Sequence, residues 1–66
     1  MRNKLIELRK ARNLTQEEVA ERIKISRAHY GRIENGERNP SLKLAIKIKK
    51  FFNYVDDDIF LDNDAT

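Results

Sequence analysis

The 66 residues include no cysteine and no tryptophan, and only one proline and one histidine. Without cysteine there is no disulfide, no thiolate metal site and no cysteine nucleophile, which fits a reducing cytoplasm. The single histidine, His29, has no second histidine or cysteine with which to build a zinc site or a nucleophilic centre. Catalysis is therefore not expected, and no metal or cofactor is implied. Long apolar runs are missing too. No stretch approaches the roughly 20 residues needed to span a bilayer, and the N-terminus lacks a signal-peptide core. These absences predict a soluble cytoplasmic protein with no membrane partner and no evident small-molecule ligand. A chain of 66 residues makes one domain near the lower size limit for unaided folding.

Basic residues are absent from the end of the chain. All 14 Lys and Arg lie in residues 1–50 beside six acids, a balance of +8, while residues 51–66 carry five aspartates and no base, a balance of −5. A basic body with an acidic end suits a polyanion-binding face turned away from that end. Asp56, Asp57 and Asp58 could suggest a cation site. They fall where a short helix should begin, however, and the positive end of a helix dipole favours carboxylates and repels cations.

Residues 14–40, LTQEEVAERIKISRAHYGRIENGERNP, carry most of the functional information. Thr15 and Glu18 have the spacing of a capping box, and Leu14 with Val19 that of a hydrophobic staple. Ser26 offers a second N-cap, with Ile25 and Tyr30 as a second staple. Two short helices joined through Lys24 and Ile25 must turn sharply, as in a helix-turn-helix. At about 100° per residue, His29, Tyr30, Ile33 and Glu34 fall on one side of the second helix. Arg27, Ala28, Gly31, Arg32 and Asn35 fall on the other. That outward side has long polar donors, small residues and no acid, a surface able to enter a groove of double-stranded DNA.

The remaining pattern predicts helices at 3–12, 16–23, 27–35 and 41–52, and a short fifth helix at 56–60. Asn13, Gly36 and Asn53 suit left-handed C-terminal caps. Leu42, Ala45, Ile46, Ile48 and Phe52 are read as the apolar side of the fourth helix. Residues 62–66 are read as a frayed tail after a domain spanning 1–61.

The chain resembles the phage-repressor, Cro and Xre-like helix-turn-helix group of DNA-binding proteins. The resemblance rests on LTQEEVA, on Ser26-Arg27 followed by Ile33-Glu34-Asn35-Gly36, and on RNPSL at these separations; it continues through Ala45, Ile48, Asn53, Ile59 and Phe60. It implies an all-α, compact five-helix fold of the lambda-repressor type. Lys24 departs from the family, which usually has glycine at that corner; a left-handed lysine costs about 1 kcal/mol relative to glycine. Val55 and Asp56 also depart, with the cap of the last helix shifted to Asp56.

The resemblance further implies a structural salt bridge between Arg9 and Glu34 and a sequence-specific transcriptional regulator, read as a repressor. It would bind a near-palindromic operator as a homodimer, with the third helix in the major groove. Arg27, Ala28 and Arg32, assisted by Gln16, are the expected base contacts; Asn35, Arg38, Ser41 and Lys43 are the expected phosphate contacts, and Gln16 is a phosphate candidate as well. Phe51, Val55, Phe60 and Leu61 are the expected dimer interface. An antitoxin or anti-repressor whose main partner is another protein would share this fold. Such proteins usually carry an added segment, and the near absence of sequence beyond the five helices favours the stand-alone regulator.

Overall fold

Three of the four described α-helices begin at a side-chain cap, and all four end in a closing turn that satisfies loose carbonyls. The computed structural model describes residues 1–61; the expected frayed tail at 62–66 lies outside the described residues. Four α-helices follow in order, α1 (Asn3–Ala11), α2 (Gln16–Ile23), α3 (Arg27–Asn35) and α4 (Leu42–Phe51), then a 3-10 turn at Asp57–Phe60. Thr15 Oγ1 accepts from Glu18 N at 3.1 Å while Glu18 Oε1 accepts from Thr15 N at 2.8 Å, closing the capping box. Ser26 and Ser41 accept from the backbone N–H three residues on, at 3.1 and 3.2 Å.

The four C-termini share one solution. Among the described residues, Asn13, Lys24, Gly36 and Asn53 have positive φ, at 56°, 64°, 84° and 53°. Each follows a helix, and the next residue's N–H reaches back to a carbonyl one turn earlier: Leu14 to Arg9, Ile25 to Ala20, Glu37 to Arg32 and Tyr54 to Lys49, at 2.9–3.2 Å. These are Schellman closures. At the α2–α3 corner the lysine adopts the left-handed conformation in full, so the strain at Lys24 is accepted and not relaxed.

Leu5 of α1, Val19, Ala20 and Ile23 of α2, Tyr30 and Ile33 of α3, Leu44 and Ile48 of α4, Phe52 and Ile59 form the core. Ala20 is buried within this core, where a larger side chain would need space the packing does not leave. Leu14 and Ile25, the outer halves of the two staples, pack against this core.

Two expectations are corrected. The fifth helix is a single 3-10 turn, so the described residues form four α-helices. Asp56 precedes that turn in extended conformation and makes no side-chain cap; four residues are too few to form an α-helical ladder. The apolar side of α4 is also different. Leu42 is 80% and Ile46 43% exposed, while Leu44, which was not assigned to that side, is buried. The segment LKLAIKIKKFF carries two competing apolar stripes about 200° apart. The stripe through Leu44, Ile48, Phe51 and Phe52 continues into bulky aromatics, whereas Leu42 and Ile46 lead into Lys49, Lys50 and Asn53. The stripe with more area to bury faces inward.

Candidate nucleic-acid interface

The outward side of α3 is set by what the inward side must bury. Tyr30, Ile33 and Glu34 point into the domain, leaving Arg27, Ala28, Arg32 and Asn35 exposed and His29 half-buried at the rim. The Arg27 and Arg32 guanidinium groups make no hydrogen bond or ion pair with the described residues. Their donors are free for an external acceptor, and Ala28 between them leaves room for close approach.

Glu34 is the hub behind this face. Its carboxylate is buried, yet it accepts from Arg9 Nε at 2.7 Å, Arg9 Nη2 at 3.2 Å and Gln16 Nε2 at 2.9 Å. Arg9 Nη1 continues to the Leu14 carbonyl at 2.9 Å. A buried ion pair adds little net stability because desolvation offsets the attraction, but fully satisfied pairs fix geometry. The Glu34 carboxylate holds the Arg9 pKa above its ordinary value, chiefly through the hydrogen bond. The Tyr30 hydroxyl is buried beside the pair, where burial first and the Glu34 charge second push its pKa well up. One carboxylate thus ties α1, the start of α2 and α3 together.

Gln16 therefore faces inward as well as toward the interface. One amide N–H is held by Glu34, and the amide lies across Gly31, where an added Cβ would stand 3.3 Å from Gln16 Oε1. Gly31, placed by the sequence on the outward side, is half-buried under this side chain. Its missing side chain makes room within the protein.

The expected phosphate contacts cluster around the end of α3 and the start of α4. Asn35 and Arg38 are exposed, with Asn35 Nδ2 donating to Glu37 Oε2 at 3.3 Å. Ser41 Oγ caps α4 as an acceptor, which leaves its own O–H to donate outward. Lys43 is exposed one step into α4. Ser41, Lys43 and Lys47 line a shallow groove with His29 of α3.

A family model described as helix-turn-helix matches residues 5–60 of the chain. The chain belongs to the Cro/Xre-type helix-turn-helix DNA-binding family. It is 48% identical over 64 residues to an uncharacterized HTH-type transcriptional regulator of Methanocaldococcus jannaschii, covering 97% of each chain. With an uncharacterized HTH-type transcriptional regulator of Archaeoglobus fulgidus it shares 46% identity over 61 residues, covering 92% of this chain and 86% of the relative. The control protein C.MunI of Mycoplasma sp is 41% identical over 61 residues, or 91% and 82% of the two chains. No solved structure matches the chain at comparable significance. As a member of this family the protein is a DNA-binding transcriptional regulator and not an enzyme.

For this helix-turn-helix protein, the expected interface residues divide in two. Val55 and Leu61 are 87% and 59% exposed, whereas Phe51 and Phe60 are half-buried and pack on the core. Exposed Ile46 shares a groove with Val55. No helix among the described residues is long and apolar enough to cross a membrane.

Sequence reasoning missed three long-range caps. Arg12 donates to the carbonyls of Phe51 and Phe52, both at 2.8 Å, and stands over both rings. Lys47 Nζ donates to the last carbonyl of α2, Ile23 O, at 3.3 Å. Arg2 is 5% exposed and reaches the end of α3. Each cation sits at the negative end of a helix dipole from a different part of the chain. A basic residue paired with a neutral carbonyl far along the chain leaves no sequence signature.

Proposed function

We propose that the protein is a repressor that binds a near-palindromic operator as a homodimer, with one α3 in the major groove of each half-site. Arg27 and Arg32 would donate to guanine O6 and N7, Ala28 would meet a thymine methyl, and the second N–H of Gln16 would assist. Arg38, Lys43, Asn35 and Ser41 would hold the phosphates on either side, with the free N–H groups at the start of α4. The observation that carries this reading is the acid-free outer face of α3, whose two arginines have no partner among the described residues. The dimer is supported by the size of the module, since one short recognition helix seldom gives specific affinity alone. Exposed Val55 and Leu61 support it further, with Phe51 and Phe60 beside them as the less accessible part of a self-complementary patch.

Selection of bound duplexes from a random pool should return a twofold-related motif with half-sites about one turn apart. If Arg38 and Lys43 of two subunits neutralise about four phosphates, log K against log salt should slope at about −3.6, roughly a hundredfold loss between 50 and 200 mM. A pool that yields no enriched motif, or binding without a salt slope, overturns the reading.

A further inference from the structure

Arg2 lies outside every contact proposed above, yet it is among the most deeply buried charged residues described. Its guanidinium makes four hydrogen bonds, from Nε to Phe60 O at 2.8 Å, from Nη1 to Ile33 O at 2.6 Å and Arg38 O at 2.9 Å, and from Nη2 to Asn39 Oδ1 at 2.6 Å. Its backbone N–H adds a fifth link, to Glu34 O at 2.8 Å. The guanidinium's four acceptors are neutral oxygens. Burying a cation against neutral groups is costly unless the acceptors are fixed and already partly negative. Ile33 O is such an acceptor, one of the last carbonyls of α3.

Three of the four guanidinium acceptors lie together, and the fourth, Phe60 O, belongs to the 3-10 turn. Ile33 and Glu34 lie in the last turn of α3, and Arg38 and Asn39 form the loop that leads from it to Pro40 and α4. Two backbone bonds also anchor the loop, from Glu37 N and Arg38 N to Arg32 O at 2.9 and 3.2 Å, but neither reaches Asn39. The planar fork of Arg2 spans the helix end, Arg38 and Asn39 at once. An ammonium is a point donor on a flexible stem and cannot reproduce that fork. Exposed Arg38 leaves the clamp by its side chain while its carbonyl is held within it.

We propose that Arg2 is a positioning residue for DNA binding: its clamp on Ile33, Arg38 and Asn39 fixes the loop that presents the Arg38 side chain to a phosphate. This rests on the assignment of Arg38 as a phosphate contact under the proposed function. Arg2 itself touches no DNA. It acts on the backbone term of affinity and leaves base recognition to α3.

The test is a double-mutant cycle of Arg2→Lys with Arg38→Ala, read as affinity for the selected duplex across a salt series, with thermal unfolding followed in parallel. Arg38→Ala should lower the salt slope by about 0.9 per bound subunit. Arg2→Lys should lower it by up to the same amount, leave the selected base motif unchanged, and cause no additional loss in the Arg38→Ala background. Asn39→Ala removes one arm of the clamp from an exposed residue and should show the same pattern at smaller amplitude, even if Arg2→Lys proves too unstable to assay. A merely structural role predicts otherwise. If Arg2→Lys or Asn39→Ala weakens binding equally in the presence and absence of Arg38, or alters the base motif, the proposal is overturned. An unchanged salt slope in Arg38→Ala, with wild-type binding still salt-dependent, overturns it through its premise. Wild-type protein without salt-dependent specific binding overturns the DNA reading itself.

Discussion

Replacing Gly31 by alanine sets two effects of known sign against each other. Glycine inside a helix is destabilising by roughly 0.5–1 kcal/mol relative to alanine, so propensity alone makes Gly31→Ala stabilising. The new Cβ, however, would stand 3.3 Å from Gln16 Oε1 and 3.8 Å from its Cδ and Nε2. The amide would have to withdraw by a few tenths of an ångström. A free glutamine would do so at little cost. Gln16 is not free, because its Nε2 donates to the buried Glu34 carboxylate at 2.9 Å. A hydrogen bond to a charged group contributes about 1.5–3 kcal/mol, and losing it would exceed the propensity gain.

Gly31→Ala in the wild-type background is therefore expected to destabilise the protein by about 1 kcal/mol, the bond lost less the propensity gained. In a Gln16→Ala background neither the clash nor the bond exists, and the same substitution should stabilise by roughly 0.5–1 kcal/mol. Urea unfolding of the four proteins gives the coupling directly. At about 4–8 °C per kcal/mol for a domain of this size, the opposite signs should also separate in thermal melts. If Gly31→Ala stabilises equally in both backgrounds, Gln16 is not held by Glu34 and the hub behind the recognition helix is wrongly drawn.

Other outcomes follow from the same geometry. Arg27→Ala and Arg32→Ala should each lose about 1–3 kcal/mol of specific binding and relax one base pair per half-site, while Lys43→Ala should weaken all sequences alike, as a selection with each variant would report. Leu44→Ala should cost about 2–5 kcal/mol in chemical unfolding and Leu42→Ala no more than about 0.5, and the reverse order would restore the rejected face of α4. The Glu18 carboxylate is held below its ordinary pKa by the Thr15 backbone N–H first and the Thr15 side chain second. Its contribution to stability is complete above the unfolded carboxylate value and lost as pH falls through the depressed folded value, so Glu18→Gln should flatten the acid side of the stability profile. Leu61→Asp should shift sedimentation at micromolar concentration toward the monomer, whereas a wild type monomeric both free and on its operator would exclude the proposed dimer.

How much of this was legible in the sequence depends on the range of the interaction. Helix boundaries were readable because caps are local: Thr15 with Glu18, Ser26, Gly36 and the two asparagines act on backbone groups within a few residues. The matched family motif carried the Arg9–Glu34 pair, although those residues lie 25 positions apart. The phase of α4 was not readable, because Leu42, Leu44, Ile46 and Ile48 alternate and satisfy two faces of a helix. Only the Phe51–Phe52 pair and the lysines beyond Ile46 decide between them, and that decision is tertiary. Arg2 was invisible for a different reason. Nothing in an arginine near the N-terminus signals that its partners are the carbonyls of Ile33, Arg38 and Phe60.

Under the proposed docking of α3, these long-range caps bear on function, because a domain this small restrains that helix through few apolar side chains. The described core has ten buried apolar residues, and α3 contributes only Tyr30 and Ile33 to it. The rest of its restraint is polar: Ser26 at its start, Glu34 on its inner face through Arg9 and Gln16, and Arg2 across its end. Each anchor uses a group that points away from the exposed Arg27, Ala28 and Arg32, so none competes with the outer face for its donors. A helix held at both ends and in the middle loses little freedom on docking, and less ordering cost means that more of the contact energy remains as affinity. The same arrangement explains why the anchors are polar. Apolar packing tolerates small sliding of a helix, whereas a two-pronged arginine on a carboxylate admits one register.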